Sequence, residues 1–124
     1  MGDETSIEKD ISHIEIASIN FDQWILTVAL RAYGSNGNVK GMVHLIFKSA
    51  RGFRYLDEGD MIKYPFPDNC TRNYVQTIAK DGWAQQENDF GNIVTSGHQE
   101  YLVATVNECV TVLAYEKPII IKES

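Results

Sequence analysis

Between residues 101 and 121 the chain reads YLVATV-NE-CVTVLAY-EK-PIII, two short apolar runs joined by a polar pair and followed by a third run. Runs of this length, rich in β-branched residues and broken by polar pairs, are strand–turn–strand sequence. The last fifth of the chain is therefore committed to a sheet. It carries hydrophobes, two threonines, a thiol and scattered acids, with no arrangement suited to attack, protonation or metal coordination.

Strand-like patterns recur upstream. Ile14 and Ile16 alternate with His13, Glu15 and Ala17, and Asn20, Phe21 and Asp22 then break the period as a turn. Residues 24–33 (WILTVALRAY) follow as a second strand, because Ile25, Thr27 and Val28 are β-branched. Residues 34–38 (GSNGN) are the best hairpin signal, since Gly and Asn tolerate positive φ at low cost. The return strand over 39–48 places Val43, Leu45 and Phe47 on one face, expected to be buried. Met42, His44, Ile46 and Lys48 fall on the other. A fourth strand over 53–56 would complete an antiparallel meander.

After residue 56 the pattern changes. Residues 57–60 (DEGD) read as an acidic turn, and residues 64–69 (YPFPDN) hold two prolines that neither a ladder nor a helix accommodates. Thr71 can cap a helix over 72–86, where Tyr74/Val75, Ile78/Ala79 and Trp83 recur near helical spacing and Gly82 weakens the second half. The expected fold is α+β: one domain over 1–124, a mostly antiparallel sheet of about five to seven strands, and one main helix packed on it. Residues 1–10, charged and small, are expected to fray.

The 124 residues include 44% apolar types, with six Tyr, five Phe and two Trp, enough for a core without metal or disulfide. Seventeen acids against eleven bases give a net charge of −6. Such a balance repels phosphate backbones and anionic membranes, which argues against nucleic-acid and membrane partners, and it suits a cationic protein. The start is acidic and polar, unlike a signal peptide, and no apolar run approaches the roughly 20 residues needed to span a bilayer. A cytoplasmic location is expected, with Cys70 and Cys109 reduced.

His13, His44 and His98 stand at no zinc spacing with either cysteine, so no metal or other cofactor is expected. Phosphate-loop, dinucleotide, nucleophile-elbow and metalloprotease motifs are all missing from the sequence. Catalytic residues are therefore not assigned. The groups suited to a partner are acids beside aromatics: Asp57, Glu58 and Asp60 on the acidic turn, and Asp81, Glu87 and Asp89 around the expected helix end. Tyr64, Phe66 and Trp83 are the aromatic anchors.

The segments EYLVATVNECVTVLAYEKPII and FRYLDEGDMIKYPFP resemble, in general pattern over residues 39–121, the immunity proteins of bacterial polymorphic-toxin and contact-dependent growth inhibition systems. The resemblance implies a non-catalytic inhibitor that neutralises a cognate, basic protein toxin by electrostatically complementary binding. It carries no residue role across. The alternative is a small-ligand-binding or small enzymatic α+β domain, with an apolar pocket and His44, His98 or the acids at its mouth. A third is a structural subunit of a phage or secretion assembly.

Overall fold

The computed structural model describes residues 5–57, 72–78, 82–83 and 98–123. Every element among them is a strand: β1 (His13–Asp22), β2 (Ile25–Tyr33), β3 (Val39–Phe47), β4 (Ala50–Asp57), β5 (Gln76–Ile78), β6 (Gln99–Ala104), β7 (Glu108–Ala114) and β8 (Ile119–Glu123). They form two four-stranded sheets with spatial orders β1-β2-β3-β8 and β4-β7-β6-β5, and all neighbours run antiparallel. In the second sheet, hairpin-linked β6–β7 and its neighbour β5 lie beside a distant β4, which is Greek-key order.

The inner faces meet in one core. Leu26, Val28, Leu30 and Ala32 of β2 and Val43, Leu45 and Phe47 of β3 pack with Tyr101 and Val103 of β6 and Val110, Val112 and Ala114 of β7. Val43, Leu45 and Phe47 lie on the buried face, as the alternation predicts, while His44 and Ile46 remain partly exposed. The closing hairpin also forms as read. Its loop is wider than the polar pair, because the Thr105 N–H bonds the Glu108 carbonyl at 2.8 Å while its hydroxyl accepts from the Asn107 and Glu108 N–H groups. The GSNGN turn closes with Gly34 N–H to Asn38 O at 2.9 Å, and Gly37 supplies the left-handed residue at φ 84°.

Three expectations are corrected. The fold is β-sandwich rather than α+β, and no helical element packs on either sheet among the described residues. Part of the expected 72–86 helix is strand β5, in which Thr77 and Ile78 are β-branched and pair with Tyr101 and Glu100. The second correction concerns β4, which leaves the meander. The edge of β3 that it would have taken is occupied by β8, whose Ile119, Ile120 and Ile121 pair with Ile46, Leu45 and His44, so β4 crosses to β7. The third concerns the first turn: Asn20, Phe21 and Asp22 stay in β1, and the chain reverses at Gln23 and Trp24.

Where fraying was expected, residues 5–8 are tied down. Tyr74 N–H donates to Thr5 O, Ile7 N–H donates to Arg72 O at 3.0 Å, and Ser6 bridges Asn73. Glu8 accepts from the Tyr74 hydroxyl and from Lys122 Nζ. Burial pushes its carboxyl up, but those two bonds outweigh it and leave the group below its ordinary value.

Candidate functional site

Sheet register brings one end of the sandwich together. Ala50 opens β4 opposite Ala114, which closes β7, and Ala114 lies opposite Gln99, the start of β6. The residues just beyond these positions, Ser49, Tyr115 and His98, therefore meet. The Gln23–Trp24 turn arrives from the other sheet, held where the Ala50 N–H donates to the Trp24 carbonyl at 2.9 Å. The result is an open cleft of about 490 Å³ lined by Gln23, Trp24, Ile25, Lys48, Ser49, Ala50, Arg51, His98 and Tyr115.

The turn itself is unusual. A two-residue hairpin whose central residues both have positive φ favours Asn-Gly or a similar pair, because Cβ crowds the carbonyl in that region. Here the residues are Gln23 at φ 49° and Trp24 at φ 70°. The turn lifts Trp24 into solvent, with 65% of its surface exposed. Phe21 meets the Trp24 ring edge-on at 6.3 Å and Phe53 at 5.7 Å, so an aromatic chain runs from the exposed indole back to the core. Tyr115, 59% exposed, stands across the cleft with the His98 ring over it at 4.0 Å. His98 Nδ1 is buried with no hydrogen-bond partner among the described residues.

Charge separates this cleft from a second one. The latter, about 550 Å³, lies at the opposite end and is lined by residues that include Glu8, Asp10, Lys40, Lys122 and Glu123. Its cations are already paired, Lys122 with Glu8 and Lys40 with Asp10 at 3.9 Å, and Glu123 lies 3.3 Å from the His44 imidazole. Around the Trp24 cleft the lining holds Lys48 and Arg51 and no carboxylate, and neither cation has an ion-pair partner among the described residues. A basic spot without an ion-pair partner among the described residues, set beside exposed aromatics, is equipped to bind.

Of the residues expected from sequence to face a partner, two are described. Asp57 ends β4, exposed and far along the strand from the cleft. Trp83 is buried, 8% exposed, on the outer face of the second sheet with Leu102, Leu113 and Cys109, and Arg54 lies over its ring at 5.6 Å. Glu58, Asp60, Tyr64, Phe66, Asp81, Glu87 and Asp89 lie outside the described residues, as does Cys70. His98 reaches a cleft mouth, whereas His44 sits on an outer sheet face beside Glu123. Sequence reasoning missed Trp24, Lys48, Arg51 and Tyr115. The one available signal was a tryptophan at a strand start, next to a hydrophilic Asp-Gln pair.

No group of three or more His, Cys, Asp or Glu residues gathers as a metal site among the described residues. No helix among them is long and apolar enough to cross a membrane. Comparison with protein-family profiles, characterised proteins and solved structures finds no match.

Proposed function

We propose that this chain is a non-catalytic binding protein, an immunity-type inhibitor that neutralises a cognate protein toxin in the bacterial cytoplasm, with the Trp24 end of the sandwich as a contact surface. The observation that carries this is Trp24, a bulky side chain in a left-handed turn with 65% of its surface in water. Both features cost free energy in the isolated chain: about 1–2 kcal/mol for the backbone, and the forgone burial of a large aromatic. A partner that buries the indole recovers the second cost, and strained positions of this kind collect at binding surfaces. The net charge of −6 complements a basic toxin and speeds encounter.

Co-expression with the product of an adjacent toxin gene tests the proposal. Wild-type protein should restore growth, whereas Trp24→Ala should not, although it remains folded. Growth arrest despite abundant, folded wild-type protein would overturn it.

A further inference from the structure

We infer that the Trp24 cleft receives an acidic segment of the protein partner, a carboxylate seated between Lys48 and Arg51 beside an apolar side chain packed on Trp24 and Tyr115. This deepens the binding function proposed above and rests on it. Charge complementarity selects the occupant: two exposed cations line the cleft, and among the described residues no carboxylate lines it and neither cation is ion-paired. The aromatic content selects an apolar neighbour for that carboxylate, since Trp24 and Tyr115 are 65% and 59% exposed.

A protein segment fits better than a small free anion. The cleft is open, and Trp24 protrudes from a turn instead of walling an enclosed cavity. Taken alone, the chain's net charge of −6 would oppose an acidic occupant. That charge acts at long range, however, and at physiological ionic strength screening reduces it beyond about 8 Å. Within the cleft the nearest charges, Lys48 and Arg51, decide. A partner that is basic overall but carries one acidic, apolar-flanked rim satisfies both ranges: the net charge steers it in and the local cations fix its register.

The test uses the isotopically labelled full chain at physiological salt with three probes: the peptide acetyl-Glu-Glu-Phe-Glu-Glu-amide, its analogue with every Glu replaced by Gln, and inorganic pyrophosphate. Amide and indole shifts are followed by NMR. The acidic peptide should move resonances of Trp24, Lys48, Arg51 and Tyr115 in a saturable way, and the Gln analogue should need roughly tenfold higher concentration. The double reversal Lys48→Glu/Arg51→Glu should abolish the response while the remaining spectrum stays native. The milder Lys48→Gln/Arg51→Gln should weaken it. Equal binding of the Gln analogue, a response to pyrophosphate alone, or no response to any probe would each overturn the inference. If wild-type protein still rescues growth, such a result removes the acidic-segment assignment and leaves the binding function standing. Failure of rescue removes that function whatever the peptides show.

Discussion

The outer faces of the two sheets contrast sharply. Among the outward residues of the first sheet, Ala29 is buried, Thr27, Arg31, His44 and Ile46 are half-buried, and Ile119 and Ile121 are exposed. On the second, Leu102, Ala104, Cys109 and Leu113 are buried against Ile78 and Trp83, and Thr111 is buried with them. The two patterns have different sequence origins. VALRAY and VHLIF alternate in burial demand, whereas YLVA and CVTVLA are apolar or small at nearly every position. An alternating run reports one covered face, and a continuous run reports two.

The largest expected effect tests that contrast directly. Leu113→Ala should lower unfolding free energy by about 2–5 kcal/mol, because the side chain is fully enclosed. Ile121→Ala, at a position 44% exposed, should cost about 0.5 kcal/mol or less. Similar midpoint shifts in urea for the two variants would break the comparison.

Next in size is Gly82, which lies against the buried face of the second sheet. A Cβ there would fall 2.5 Å from Glu100 Oε1 and 2.8 Å from Ile78, and Glu100 is itself only 3% exposed while accepting the Trp83 N–H at 3.2 Å. Gly82→Ala should therefore destabilise by about 1–3 kcal/mol. A neutral result would mean that this layer yields in a way a packed interior does not.

Between the sheets, Glu108 of β7 accepts from the Ile16 N–H at 2.9 Å and from the Tyr55 hydroxyl at 2.6 Å. It thereby satisfies a backbone donor on the edge strand β1, which would otherwise be open to pairing. Glu108→Ala should cost about 1–2 kcal/mol and speed exchange of the Ile16 amide above that of its β1 neighbours. Unchanged exchange at Ile16 would show that the carboxylate does not guard that edge.

The same pairings explain what could be read in advance. The GSNGN hairpin was legible because its residues match the positive φ that the turn needs, and Gly37 adopts it. The Gln23–Trp24 turn is illegible because neither residue suits such a conformation, and the turn-forming types Asn20 and Asp22 put the expected break three residues early. Tyr74 and Val75, just before β5, and Ile78 within it are all buried, and that shared burial imitates helical spacing. The candidate cleft depends on Ala50, Ala114 and Gln99 falling in register, a long-range property that no local pattern encodes. Sequence failed most at the strained turn, which is where function and local preference are expected to conflict.

That conflict has its own consequence. Replacing Gln23 and Trp24 by Asn and Gly should stabilise the protein by about 1 kcal/mol, since Asn-Gly meets the turn's backbone demand without strain. On the proposed function, the same double variant should lose toxin neutralisation. Lower stability would show that the indole contributes more through Phe21 than the strain costs. Retained neutralisation would separate the strain from binding.

The smallest effect lies at alkaline pH and isolates the link between β4 and β7. The bond to Glu108, burial, and the charges of Glu108 and Asp57 together push the Tyr55 phenol up from its ordinary value of 10.0 to about 12. Because the folded-state value is the higher one, the protonated hydroxyl contributes stability that is fully present below about pH 10. That contribution fades as pH rises through about 12. Tyr55 is 47% exposed, so solvent screens the interaction and the change is small. Tyr74 and Tyr101 are also shifted upward, Tyr74 by burial and the Glu8 bond and Tyr101 chiefly by burial, so wild-type stability alone cannot isolate Tyr55. The difference between wild type and Tyr55→Phe does so, because the other two phenols are common to both proteins. That difference, measured by urea denaturation, should be constant from neutral pH to about 10 and then shrink. Parallel curves across the whole range would mean that the Tyr55–Glu108 bond does not stabilise the junction of the two strands.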